Sequence, residues 1–197
     1  MSDQETLEVY NAKAGEYAEL TSNDAHGADF KAFLKNVDAG GRLLDLGCGP
    51  GHFAKLMAQA GFEVDATDAS VEMVKLASAH DGVTARCETF DQLNATDHYD
   101  GVFANFSLLH ARRDAVEGHI EQIVRALKSG GVFHIAMKAG TGEKRDRIGR
   151  KYSYFSADEL EDMLTKAGLT IIYRNQGTDK GMDGSMADWV SLQGRKQ

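Results

Sequence analysis

Twelve residues, LLDLGCGPGHFA (43–54), constrain this chain more than any other stretch. Four residues with the character of a buried strand run into Gly47-Cys48-Gly49-Pro50-Gly51, and a helical pattern begins at once. Glycines so close together leave bare backbone at the end of a strand, which is where open α/β sheets bind their ligands. A strand, a tight glycine turn and a helix make the opening of a βαβ unit, so the expected class is α/β with a mostly parallel sheet.

The rest of the chain repeats that alternation. Further strands are predicted at 63–68, 83–88, 99–107 and 131–138 after a first at 42–48, with helices at 51–60, 70–80 and 114–128. Their limits carry stop and start signals: Gly61 ends one helix, Ser70 caps the next, and Ser129-Gly130-Gly131 closes the third. A helix at 156–167 opens with a Ser156/Glu159 capping box, and strands follow at 169–174 and 188–193. The glycine-rich stretch 175–187 between them is too short for a helical crossover, which makes that pair antiparallel. Ahead of the first strand, helices are expected at 7–20 and 29–37, the first carrying Val9, Tyr10, Tyr17 and Leu20 near one stripe, as a cover over the sheet edge.

With 197 residues, 42% of them hydrophobic, and no repeat or linker, one domain over 1–197 is expected. Residues 1–38 would form its helical cover and 41–197 its core. A net charge of −8 argues against DNA or an anionic membrane as the main partner. The start of the chain lacks a basic-then-apolar signal, no apolar run is long enough to span a bilayer, and a cytoplasmic location is the expectation. Cys48 and Cys87 show no metal-ligand spacing, so no metal is expected.

Asp68 closes the second strand about 20 positions after the turn, the place from which a carboxylate takes both hydroxyls of a ribose. The ligand is therefore expected to be a nucleoside. A dinucleotide is excluded because His52 stands where the third small residue of Gly-x-Gly-x-x-Gly belongs, and a P-loop because no Gly-Lys-Ser/Thr follows. Asp45, at the mouth of the turn, repels phosphates but suits an ammonium group.

In these features the chain resembles the class I S-adenosylmethionine-dependent methyltransferases, through LLDLGCGPG, ATDAS, CETF, YDGVFANFSLLH and ALKSGGVFHIAM in order. The resemblance implies a three-layer αβα sandwich with a seven-stranded sheet in the order 3-2-1-4-5-7-6, strand 7 antiparallel. It implies S-adenosylmethionine as cofactor and S-adenosylhomocysteine as product. Gly47 and Gly49 would leave room for the methionine part, Asp45 would organise its amino group, and Asp68, with Ala69 beside it, would take the ribose. Met73 would lie on the adenine or in the core. Glu88 would accept from the adenine amino group, the Thr89 backbone N–H would donate to a ring nitrogen, and Phe90 would pack nearby. Asn105, near the end of the fourth strand, would face the reacting centre or cap the strand. Ser129, where the family has proline, alters only a turn.

On the acceptor side, His110 is the candidate base for an acceptor that carries a proton, or else a packing residue. The stretch VYNAKAGEYAEL resembles the family's N-terminal lid, which would put Tyr10 by the methyl group and Tyr17 by the cofactor carboxylate. In KAGTGEKRDRIGRKYSYF (138–155), six basic residues stand against two acidic ones, so Arg147 or Arg150 is expected to hold an anionic acceptor, with Tyr152 or Tyr154 as its wall. A small-molecule acceptor is the leading expectation. The alternatives are RNA or protein docked on the basic stretch, or a cofactor-binding protein without catalysis.

Overall fold

The structure, a computed structural model, describes residues 3–21, 27–181 and 183–197, and the side chains of 19–21, Leu20 among them, lie outside the description. Its elements are α1 (Gln4–Ala12), α2 (Ala14–Thr21), α3 (Ala28–Asn36), β1 (Arg42–Leu46), α4 (His52–Gln59), β2 (Glu63–Asp68), α5 (Val71–Ala77) and β3 (Val83–Cys87). There follow β4 (Tyr99–Asn105), α6 (Val116–Ala126), β5 (Leu127–Lys138), β6 (Glu143–Arg145), β7 (Lys151–Ser153), α7 (Ala157–Lys166), β8 (Leu169–Lys180) and β9 (Met186–Lys196). The main sheet runs β3-β2-β1-β4-β5-β9-β8, with β9 antiparallel to both neighbours and the other pairs parallel. With β8 and β9 as the sixth and seventh strands of this sheet, that is the expected order.

Period-two alternation assigns each strand residue to a layer. Leu44, Leu46, Val102, Ala104, Phe133 and Ile135 pack with Ile120 and Ile123 of α6 and Leu160 and Leu164 of α7. Leu43, Val64, Ala66, Phe103 and Val132 face the other way, onto Phe30 and Phe33 of α3 and Met57 of α4. Helices thus cover both faces, as a parallel sheet requires. Among the described residues no helix is long and apolar enough to cross a membrane.

Four local expectations are corrected. The helix expected at 7–20 is two helices that meet at Lys13, next to Gly15, a weak helix former. The helix expected at 114–128 ends at Ala126, and β5 already begins at Leu127. The stretch 175–187, expected as a loop, is mostly strand, since the β8–β9 ladder continues to Lys180↔Met186. Gly177 serves that ladder: a Cβ there would lie 2.7 Å from the Trp189 ring across the strand pair. Finally, the basic stretch contains the antiparallel hairpin β6–β7.

Candidate functional site

The glycine turn is built for close approaches. Gly47 and Cys48 both donate backbone N–H groups to the Thr67 carbonyl, at 2.7 and 2.9 Å, which ties the turn to β2. Gly47 has φ +73°, and a Cβ there would lie 2.3 Å from Cβ of Ser107, whose hydroxyl donates to the Leu46 carbonyl. Gly51, at φ +81°, rests against α5, where a Cβ would come within 2.7 Å of Cα of Ala77. The first glycine admits the end of β4, the last admits a helix, and Gly49 between them faces the Tyr17 ring.

Two carboxylates flank this turn. Asp45 is 3% exposed, accepts from the Ala54 N–H at 3.1 Å, and among the described residues has no Lys or Arg paired with it. Burial pushes its carboxyl up to about 7, opposed by the Ala54 hydrogen bond and assisted by the nearby charge of Asp68. Asp68 accepts from the backbone N–H of Gly49 (2.9 Å) and of Ser70 (2.8 Å), and burial raises its pKa as well.

Above them, α1 and α2 close a cavity. Asp3 caps α1 and takes both guanidinium nitrogens of Arg145, at 2.7 and 2.8 Å. Lys151 donates its backbone N–H to the Thr6 hydroxyl (2.9 Å), and the Ser70 hydroxyl donates to the Asn11 side chain (2.6 Å). Tyr10 and Tyr17 touch edge to face, with centroids 5.4 Å apart, although their helices are separate. The cavity is lined by Tyr10, Tyr17, Asp45, Gly47, Gly49, Asp68, Ala69, Met73, Glu88, Thr89, Phe90, Asn105 and His110, which brings these sequence candidates into one space.

Arg147, Arg150 and Tyr152 do not line it. Arg150 is buried and bonded to Asp146 at 2.8 and 2.9 Å, so its charge is spent inside the protein. Its guanidinium also donates to the Tyr10 hydroxyl at 3.1 Å. Arg147 is exposed on a separate cleft beside the hairpin. Tyr152 packs against the His110 ring, with centroids 4.7 Å apart.

His110 has both ring nitrogens occupied. Nδ1 lies 2.7 Å from the Lys151 carbonyl, which only accepts, so Nδ1 carries the proton. Nε2 then accepts the Tyr10 hydroxyl proton at 2.8 Å. Desolvation pushes the imidazole down to about 4, against the pull of the Lys151 carbonyl and with help from the Arg150 and Lys138 charges. In this arrangement no acceptor reaches Nε2 directly.

Two adenine-side candidates already have partners. The Thr89 N–H donates to the Gln92 side chain at 2.7 Å in a capping box, so the donor expected for a ring nitrogen is engaged by its own turn. Glu88 Oε1 accepts from Arg86 Nε at 3.1 Å. Sequence reasoning missed Cys48, His52 and Phe53 from the same turn and Thr6, Leu7, Phe106 and Ser107, all of which line the cavity. Phe106 carries the clearest mark, a non-glycine φ of +53° directly after β4, which is strain of the kind found at functional sites. Beside it, the Asn105 side chain meets His134 Nε2 at 3.2 Å.

Residues 23–174 match the model of a methyltransferase domain family, a span that leaves out α1, α2 and β9. A ubiquinone biosynthesis O-methyltransferase of Parvibaculum lavamentivorans is 28% identical over 135 residues, covering 66% of this chain and 52% of that protein. A Bacillus subtilis relative is 27% identical over 133 residues, and the chain spans about half the length of both. Among solved structures, the Burkholderia thailandensis 1,6-didemethyltoxoflavin-N1-methyltransferase, with its substrate and S-adenosylhomocysteine bound, has a TM-score of 0.76. It is 20% identical, and the match covers 97% of this chain and 87% of that one. A Methanosarcina mazei S-adenosylmethionine-dependent methyltransferase has a TM-score of 0.73 at 17% identity, covering 84% of this chain and 96% of the other.

Proposed function

This chain belongs to the methyltransferase domain family, and from that premise we propose that it transfers a methyl group from S-adenosylmethionine to a small metabolite. The residues present suit that cofactor. Asp45 is a buried carboxyl that pairs with no cation among the described residues and lies beside bare glycine backbone, which fits an amino group. Asp68 keeps lone pairs for two hydroxyls, and Phe90 offers apolar surface for a flat ring, with Met73 buried behind the same wall. The cofactor supplies a methyl group on a positively charged sulfur, a leaving group that needs no further activation.

What the protein adds is position, since holding two reactants in line removes much of the barrier. Tyr10 is the group that presents an oxygen to the reacting space. Its proton goes to His110 Nε2, Arg150 occupies one lone pair, and the other is free for the acceptor. His110 acts through Tyr10: the Lys151 carbonyl fixes its tautomer, and it remains neutral at pH 7.

A single observation carries the small-acceptor reading. The cavity lies beneath α1, which is fastened to the hairpin through Asp3–Arg145 and Thr6–Lys151, so an acceptor must fit under a cover rather than lie across an open face. Three of the hairpin's cations, Arg145, Arg150 and Lys151, are paired within the protein and so are withheld from a docked macromolecule. The test offers purified protein and S-adenosylmethionine to a cell extract split by ultrafiltration. S-adenosylhomocysteine formed with the metabolite fraction is the expected result, and formation with the macromolecular fraction alone would overturn the reading.

A further inference from the structure

Basic residues of the stretch 138–151 divide into two groups. Arg145, Arg150 and Lys151 pair with Asp3 and Glu5, with Asp146, and with Glu143. Lys138, Lys144 and Arg147 have no carboxylate within ion-pairing distance among the described residues. All three line one cleft, between the end of β5, the β6–β7 hairpin and the β8–β9 turn, with Tyr154 as a wall.

The carboxylates of that cleft keep their charge but direct their hydrogen bonds to other groups. Asp146 accepts from Ile148 and Arg150, Asp183 from the Ser185 N–H and hydroxyl, and Asp188 from the Thr178 hydroxyl. Lys138 is half-buried, with its ammonium 3.9 Å from the Tyr152 ring centroid. The charges of Asp183 and Asp146 act on Lys138 from a distance, but none of the described carboxylates pairs directly with this half-buried ammonium, which stands beside two exposed cations.

We infer that this cleft binds the anionic group of the methyl acceptor, a carboxylate or a phosphate monoester, with Lys138 and Arg147 as its main holders. This inference rests on the small-acceptor reading. Tyr152 stands between the two spaces, because its ring meets Lys138 of the cleft and His110 of the cavity. An acceptor anchored at Lys138 therefore lies one aromatic ring away from the cavity that holds Tyr10. In a chain of net charge −8, a local cluster of unpaired cations also draws an anion to this edge.

The test is a titration with inorganic phosphate and, separately, with benzoate, at ionic strength held constant with sodium chloride, followed by amide NMR. Saturable shifts in 138–155 and 183–188 are expected. Lys138→Met and Arg147→Ala should each weaken binding about tenfold, the scale of a lost charge-assisted contact, while S-adenosylhomocysteine affinity is unchanged. Lys144→Ala serves as a second, fully exposed probe with a smaller loss. Shifts that do not saturate, or that all three variants leave unchanged, would overturn the proposal. So would a single-stranded oligonucleotide that binds the cleft more tightly than phosphate and competes with it, since that points to nucleic acid. Anion binding is read without turnover, so its failure is distinct from a failure of the extract assay.

Discussion

Asp45→Asn is the most informative single change, because the same carboxyl is expected to cost stability in the free protein and to hold the cofactor. Burial raises the folded pKa to about 7, against the ordinary aspartate value of 3.8. A raised carboxyl means that the folded state binds its proton more tightly than the unfolded state. Stability is then greatest below the unfolded pKa and falls as pH rises toward the folded one. At pH 8 the ionised group costs about 4 kcal/mol, and at pH 5 about 1.7 kcal/mol. Asparagine removes that term but buries an NH2 group short of partners, a penalty of about 1–3 kcal/mol. The variant should therefore be more stable than the parent at pH 8 by about 1–3 kcal/mol, or roughly 3–10 °C in Tm for a chain of this size. The amide penalty cancels between pH values, so the cleaner quantity is the change in that difference from pH 5 to pH 8, about 2.5 kcal/mol. Denaturant melts at both pH values measure it, and a parallel series with S-adenosylhomocysteine should show the ligand stabilising the parent but hardly the variant. A stability difference that is the same at pH 5 and pH 8 would refute the reasoning.

Gly47→Ala should cost about 2–5 kcal/mol, from left-handed backbone plus the overlap with Ser107, and calorimetry would show it. His110 should not titrate between pH 5 and pH 8 in an NMR series, and signals moving near its ordinary value of 6.5 would contradict the buried Tyr10–His110–Lys151 chain. Because its pKa is lowered on folding, it withdraws about 3 kcal/mol of stability as pH falls from 6.5 to 4. Asp146→Asn leaves Arg150 charged, buried and short of its partner, and about 3–5 kcal/mol of stability should go with it in urea unfolding. Arg145→Ala removes the clasp on Asp3 and should speed hydrogen exchange in α1 several-fold, while amides of β1 and β4 are unaffected.

The parts of this molecule that were legible in the sequence are those whose causes are local. Three glycines after an apolar run, and an aspartate at the end of the next strand, are fixed by backbone geometry and by the chemistry of one ligand. They lie where the pattern put them, and the strand order implied by the resemblance is the order observed. The extension of β8 and β9 was not legible, because beyond Val190 the ladder pairs residues such as Thr178 with Asp188 and Asp179 with Ala187, which show no alternating apolar face. The hairpin at 143–153 was hidden for a similar reason: five of its residues are charged or polar on both faces of a three-residue ladder. Arg147 and Arg150 look equivalent in sequence, yet Asp146 draws Arg150 inside and leaves Arg147 in solvent. Nothing short of the fold distinguishes them.

The cover over the cavity is held differently from the core. In α1 only Thr6 is buried, whereas α3 buries Phe30 and Phe33, so α1 is fastened mainly by polar groups. Asp3–Arg145, Thr6–Lys151, Tyr10–Arg150 and Asn11–Ser70 are bonds that water can replace at small net cost. The apolar layers on either side of the sheet have no such substitute, which makes α1 the element expected to open before they do. Three of those four fastenings end on the segment 145–151, the same segment that sends Arg147 into the cleft. On the proposal that the cleft holds the acceptor's anion, an acceptor that orders this segment would also tighten the cover and so couple its arrival to exclusion of water from the cavity.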